Sequence, residues 1–139
     1  MYLDYVAILI ASIAQFIIGA VWYMPIFGNT WGKIHGMDTV PPEELKVMQR
    51  KMWPLLLAQF VVTVVTTVVL AIFVTNPPQG WNVYALAGFL WIGFVVPTQV
   101  SAVLFGGTKP EWVITKILIM AGGSLLCLES AAIIIKMMA

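Results

Sequence analysis

Charged and redox-active side chains are scarce in this chain. Its 139 residues include one cysteine and one histidine, only 9% are Asp, Glu, Lys or Arg, and the formal net charge is +1. A lone cysteine permits no internal disulfide, and the usual cysteine and histidine pairs of a zinc site are missing. The near-neutral balance provides no basic surface for nucleic acid. We therefore expect no metal, no cofactor, no nucleic-acid partner and no enzymatic activity.

Hydrophobic residues take the place of the missing charges. They make up 61% of the chain, and the only ionisable side chain between Trp53 and Thr108 is a tyrosine. A helix needs about 20 apolar residues to cross roughly 30 Å of hydrocarbon. The sequence therefore predicts a single-domain, all-α membrane protein, a bundle of four transmembrane helices. The predicted spans lie at about residues 5–23, 53–74, 83–105 and 111–135.

The longest connection between spans, residues 24–52, holds most of the polar residues. Its Pro-Pro-Glu-Glu run at 41–44 is typical of a helix start, because proline suits the first turn and acids suit the positive end of the dipole. Leu45, Met48 and Met52 then share one face. We predict a short amphipathic helix here, lying at the lipid headgroups.

Two helix starts carry recognisable capping residues. Asn82 is a predicted N-cap for the third span. Thr108 and Glu111 have the Thr-x-x-Glu spacing of a capping box at the start of the fourth span, in which each side chain would accept a hydrogen bond from a free backbone amide.

The distribution of basic residues predicts the orientation in the membrane. Basic residues are retained on the cytoplasmic side. Only Lys136 lies near the end that carries both termini, whereas the opposite end holds six basic residues: Lys33, Lys46, Arg50, Lys51, Lys109 and Lys116. We therefore expect a multi-pass protein of the plasma (inner) membrane, with both termini outside.

An aromatic and proline-rich element closes the first span. It reads Trp-Tyr-x-Pro-x-Phe-Gly-x-x-Trp and consists of Trp22, Tyr23, Pro25, Phe27, Gly28 and Trp31. With the Trp-Ile-Gly-Phe-Val-Val-Pro run at 91–97 and Leu-Phe-Gly at 104–106, the chain resembles a prokaryotic family of small four-span membrane proteins known as domain of unknown function 1761. That resemblance implies a fold and a location, but no activity.

The two halves of the chain share a short similarity. Ile-Phe-Gly-Asn-Thr at 26–30 closes the first span and Leu-Phe-Gly-Gly-Thr at 104–108 closes the third, each within eight residues of a proline. A parallel duplication of one helical hairpin would explain this pattern. A glycine cap that recurs at the ends of membrane helices would explain it equally well.

One polar side chain in each span falls at a similar depth. At about 1.5 Å of rise per residue, these four lie roughly 8 to 12 Å from the loop-side ends of their helices: Gln15, Gln59, Gln99 and Lys116. If they point inward, they form a hydrogen-bonding layer, which the stripe of Gln59, Thr63, Thr66 and Thr67 would extend. Alternatively, the glutamines only hold helices together and Lys116 extends to the headgroups.

Glu129 is the acidic residue that lies deepest in a predicted span, about 9 Å below the outer end of the last helix. Its short side chain cannot reach water alone, and Lys136 lies two turns away. A titratable acid at such depth is typical of proton-coupled transport. A structural or water-exposed role is the alternative.

Small residues mark one face of the last helix. Gly123, Cys127 and Ala131 follow at i, i+4 and i+8, a spacing that lets membrane helices approach closely. This stripe serves either the bundle interior or a contact between subunits. We expect a homo-oligomer, with a dimer favoured, and membrane lipid as the other partner.

These features support two main hypotheses for function. In the first, a small solute or ion binds in, or passes through, a polar interior formed by Glu129, the glutamines and Lys116. In the second, the protein is a non-catalytic module for membrane assembly or lipid binding that uses its amphipathic helix and its small-residue stripe.

Overall fold

Helices account for nearly all of the architecture. The computed structural model describes residues 2–139, and that part of the chain contains no β-strand. Its helices are α1 (Tyr5–Val21), α2 (Gly28–Ile34), α3 (Pro42–Arg50), α4 (Trp53–Thr75), α5 (Val83–Leu90), α6 (Val96–Phe105) and α7 (Val113–Met138). The predicted all-α class is confirmed, and α3 is the short helix that the 24–52 connection predicts.

Four helical stretches are long and apolar enough to cross a membrane, as predicted. They are Tyr5–Ile26, Trp53–Thr75, Val83–Phe105 and Pro110–Met138. The first and last extend three residues beyond their predicted ends. Every stretch has at least 22 residues, so each exceeds the length that the hydrocarbon layer requires.

Two of these stretches contain a π-helical turn near a proline. The first, Trp22–Ile26, contains Pro25 and closes when the backbone N–H of Phe27 donates to the carbonyl of Trp22 at 3.0 Å. Proline has no N–H for the usual bond one turn back, so the helix widens there and the next hydrogen bond spans five residues instead of four. The second π turn, Trp91–Val95, joins α5 to α6 shortly before Pro97.

The structure confirms one of the two predicted helix caps and contradicts the other. The Asn82 side chain accepts from the N–H of Ala85 at 2.8 Å and caps α5 as predicted. The predicted capping box of Thr108 and Glu111 is wrong, because the last span begins with a 3-10 turn at Pro110 and its N-cap is Lys109. The Thr108 hydroxyl is buried and has no hydrogen-bond partner in the part of the chain that the structure describes. Proline at the first helical position shifts the cap by one residue and breaks the required spacing.

The helices run up and down, so the bundle has two distinct ends. Tyr2 and Asp4 line one cavity with Thr75, Asn76 and the C-terminal residues. The start of α1 and the ends of α4 and α7 therefore meet at what we call the terminal end. The opposite, loop end carries α2, α3 and the turn before α7.

Helix α7 is the central element of the bundle. It packs against α1, α4, α5 and α6, whereas α1 contacts α4 but has little contact with the third span. The buried core lies in the terminal half and consists of Ile8, Ala11, Leu70, Ala71, Val74, Leu86, Ala87, Leu128, Ala131, Ala132 and Ile135. Any interior site must therefore be built around α7.

Candidate functional site

Three consecutive backbone carbonyls in the middle of α7 accept hydrogen bonds from other helices. The donors are two indoles and one amide, at 2.8 to 3.3 Å: Trp22 Nε1 to Ile119, Gln99 Nε2 to Met120 and Trp91 Nε1 to Ala121. Helix carbonyls have a second lone pair beyond the one used within the helix. The first and third spans are thus attached to the same turn of α7.

Two glycines let the Trp22 ring approach this turn. A Cβ atom at Gly123 would lie 2.8 Å from Cδ1 of Trp22, and one at Gly122 would lie 2.9 Å from its Cζ2. Such distances are shorter than any van der Waals contact allows. The side of α7 that carries Gly123 is therefore occupied by an aromatic ring from the same chain.

The Gln99 side chain is held in a small polar cluster. Ser124 Oγ donates to Gln99 Oε1 at 3.3 Å, and Trp91 Nε1 lies 3.1 Å from Ser124 Oγ. These bonds join the third span to α7 through side chains as well as backbone.

Gln15 belongs to a separate cluster between α1, α4 and α7. Its Nε2 donates to Thr67 Oγ1 at 2.6 Å, and both side chains are buried. The Cys127 thiol contacts the Gln15 carbonyl oxygen at 3.5 Å. With Gly123 against Trp22 and Ala131 fully buried, the small-residue stripe of α7 faces the interior of its own bundle.

Glu129 lies nearer the terminal end, where α7 faces α5. Its Oε2 atom is buried and has no hydrogen-bond partner among the described residues. A Cβ atom at Gly88 would lie 3.7 Å from its Oε1, so the missing side chain of this glycine leaves the carboxyl group bordered by bare backbone. An acid without a partner in such surroundings is costly unless something binds it.

An open cleft of about 400 Å³ borders Gly88. Trp81 and Phe89 line it, with ring centroids 4.9 Å apart and nearly perpendicular planes. Its other lining residues are Gly80, Asn82, Ala85 and Ile92. Gly88 thus lines the aromatic cleft and also lies next to the Glu129 carboxyl group.

The other two members of the predicted polar layer lie outside the interior. Gln59 is exposed on α4, and its Nε2 reaches only Thr63 Oγ1 of the same helix, at 3.4 Å. Lys116 is half-buried at the loop end, with Nζ 5.6 Å from the centre of the Trp31 ring. The four residues therefore do not form one layer, because only Gln15 and Gln99 point into the bundle and each has its own partners.

The aromatic element that closes the first span folds back on itself. Trp22 packs on Phe27 and Tyr23 packs on Trp31, both with ring centroids 4.7 Å apart. Gly28 begins α2, where a Cβ would be 3.5 Å from the Tyr23 carbonyl oxygen. The element therefore turns the chain at the loop end and positions the Trp22 indole against α7.

The bonding roles of Trp22 and Trp91 are not among the sequence predictions, which name Trp22 only as part of the aromatic element that closes the first span. One signal could have identified them. A buried indole N–H needs an acceptor, and the Gly122-Gly123 pair offers the close approach to a backbone that such a ring requires.

Comparison with known proteins identifies a family for the chain. No curated protein and no solved structure matches the chain. A family model, described as a protein of unknown function, DUF1761, matches residues 6–135. Since this match includes the aromatic element, both π turns, the α7 hydrogen bonds and Glu129, the chain belongs to the DUF1761 family.

Proposed function

We propose that the protein binds a small organic cation at its terminal end, in the cleft beside Gly88, with Glu129 as the countercharge. The observation that carries this proposal is the buried Oε2 of Glu129, which has no hydrogen-bond partner within residues 2–139, whereas Gln15 and Gln99 are paired across helices. The proposal is a specific form of the solute-binding hypothesis, in which Glu129 and the cleft beside Gly88 form the binding site. Gln15 and Gln99 hold the bundle together, and Gln59 and Lys116 take no part.

The chemistry of the cleft favours a cation with an apolar body. Aromatic faces attract cations by about 0.5 to 2 kcal/mol, and Trp81 and Phe89 supply such faces. The volume of about 400 Å³ is within the range of small-molecule sites, roughly 300 to 1,000 Å³. A carboxylate reached past Gly88 would supply the charge that fixes the orientation of the bound solute.

Titration of the purified protein with tetraphenylphosphonium, in detergent and in vesicles, tests this function. Wild type should bind the cation, and Glu129→Gln should weaken binding at least tenfold, since about 1.4 kcal/mol corresponds to a factor of ten. Phe89→Leu should weaken it about two- to fivefold through the lost cation–π contact. Gly88→Leu should also weaken it by blocking the way to the carboxyl group.

Glu111→Gln is the matched control, because Glu111 is an exposed acid at the loop end and its loss should leave binding unchanged. Equal affinities of wild type and the E129Q variant would contradict the proposal, as would absence of binding by wild type. Uptake of the same cation by reconstituted vesicles then tests passage. Uptake that is the same in E129Q as in wild type at every pH would exclude Glu129 from that step.

Helix α3 favours the second candidate, a module for assembly or lipid binding. It contains no fully buried residue, and exposed Met48 lies one turn after half-buried Leu45 on the same face. An apolar face of this kind suits the headgroup boundary. Replacing Leu45 and Met48 with serine should then alter association in vesicles while cation binding persists.

A further inference from the structure

Gln59 is the glutamine of the four spans that the bundle leaves without a partner from another helix. Gln15 and Gln99 both bond to neighbouring helices. Gln59 is exposed, and its one side-chain hydrogen bond, to Thr63 on its own helix, is long at 3.4 Å. The amide oxygen and one N–H therefore point away from the protein.

The depth of Gln59 makes this position unfavourable in lipid. It lies six residues after Trp53, where α4 begins, or about 9 Å along the helix axis. The glutamine side chain is too short to cover that distance to the headgroups, and acyl chains carry no hydrogen-bonding group. An amide that faces them loses its hydrogen bonds to water without replacement.

A stripe of exposed residues with heptad spacing passes through Gln59 on α4. Steps of four and three residues alternate along one stripe of α4, and every member of the stripe is exposed: Leu55, Gln59, Val62, Thr66, Val69 and Phe73. This 3.5-residue repeat is the pattern by which two helices pack side by side with a left-handed crossing. We refer to these six residues as the α4 seam.

We propose that the α4 seam pairs with the same seam of a second copy of this chain, in parallel, with the two Gln59 amides bonded to each other. Copies inserted in the same orientation present α4 in the same direction, and a two-fold axis brings identical residues together. An amide carries both a donor and an acceptor, so it is complementary to itself. The small-residue stripe of α7 cannot serve this contact, because Trp22 and α1 already cover it.

Cysteine crosslinking in native membranes tests the seam. In a Cys127→Ala background, Val62→Cys places a thiol in the seam, and Val61→Cys places one about 100° around the helix. Val61 and Val62 are 55% and 56% exposed, so their accessibility to oxidant is matched. Copper phenanthroline should crosslink V62C into a species of twice the monomer mass, with V61C giving at least about five times less.

Dilution of fluorescently labelled protein in vesicles measures the contribution of the amide. Gln59→Leu should weaken association about three- to tenfold, from the usual strength of side-chain hydrogen bonds in membranes. Ser101→Ala, which removes an exposed hydroxyl from α6, is the control and should not change it.

Three results would overturn the seam. These are equal crosslinking of V61C and V62C, a monomer at every dilution, or crosslinked products that contain a different protein. Because V62C retains Gln59 and leaves the interior unchanged, its result does not depend on how well Q59L folds. The E129Q variant should dimerise like wild type, so loss of cation binding and loss of pairing are separable.

Discussion

Gly123 allows the Trp22 ring to pack directly on the backbone of α7. Gly123→Ala places a methyl group 2.8 Å from Cδ1 of Trp22, so the ring must move and its bond to the Ile119 carbonyl must stretch. We expect the free energy of unfolding to fall by about 1 to 3 kcal/mol, the usual cost of overpacking. Denaturant unfolding in mixed micelles, followed by circular dichroism, measures it.

Gly19→Ala is the control for this change. Gly19 also lies within a helix, and a Cβ there would have no neighbour within 4 Å. Alanine should stabilise that helix by up to about 1 kcal/mol through its higher propensity. Equal effects of G19A and G123A would show that Trp22 does not occupy the surface of α7.

The Gln15–Thr67 pair gives a second prediction for single residues. Gln15→Leu and Thr67→Val each remove one side of the 2.6 Å bond. The loss of unfolding free energy in the double variant should be about 0.6 kcal/mol smaller than the sum of the losses in the two single variants. This is the average coupling between polar side chains in membranes. The same unfolding experiment measures all four proteins of the cycle. A coupling of zero would mean that the two groups do not bond in the membrane.

The direction in which each polar residue points could only partly be predicted from the sequence. Gln59, Thr63, Thr66 and Thr67 share a predicted polar stripe, but Thr67 is buried against α1 while Gln59 and Thr66 are exposed. In a soluble protein, hydrophobic periodicity identifies the buried face. In lipid both the interior and the surroundings are apolar, so that signal is lost and the partners of each polar group decide its direction.

At the scale of the elements, the sequence predicts where helices begin better than how they bend. Long apolar runs define the four spans, and Asn82 identifies the start of α5. Neither π turn is predicted, because proline indicates only that a hydrogen bond is missing. Whether the helix kinks, ends or widens depends on what its neighbours require, and here each widened turn begins at a tryptophan that bonds to α7.

The two Phe-Gly stretches also have different roles as elements. Phe27 precedes Gly28, which begins α2, whereas Phe105 ends α6 and is followed by a turn in which Gly107 has a φ of +77°. Trp22 and Trp91 both bond to α7 rather than to two symmetry-related helices. The similarity of the two Phe-Gly stretches therefore does not extend to the backbone that follows them, although both spans contain a π turn that begins at a tryptophan bonded to α7.

The start of the fourth span gives a prediction at this scale. Thr108 Oγ1 is buried and unpaired, so Thr108→Val removes a hydroxyl that is costly to bury while it keeps the shape of the side chain. We expect the free energy of unfolding, measured by thermal denaturation, to stay the same or rise by up to about 1 kcal/mol. Glu111→Gln should leave the free energy of unfolding unchanged. If the free energy of unfolding of the T108V variant instead fell by about 1 kcal/mol, this would support a capping role for the Thr108 hydroxyl.

At the scale of the whole molecule, α7 connects the parts of the bundle. It joins the first and third spans through the hydrogen bonds at Ile119 to Ala121, and it reaches α4 through the terminal core. The third span is the least buried of the four and relies on α7 for most of its contacts. This arrangement leaves α4 with a free outer surface and leaves Glu129 beside the gap at Gly88.

The placement of charge predicts how the whole molecule inserts. The structure brings both termini and Lys136 to one end, whereas Lys33, Lys46, Arg50, Lys51, Lys109 and Lys116 belong to the other half of the bundle. Because basic residues stay on the cytoplasmic side, a fusion after Ala139 should give active alkaline phosphatase and non-fluorescent green fluorescent protein. An insertion after Asp38 should give the reverse.

Changing the four basic residues of the 24–52 connection to glutamine should produce a mixture of orientations, since two basic residues then oppose one. Bright fluorescence at Ala139 in the unmodified chain would show that charge does not set its orientation.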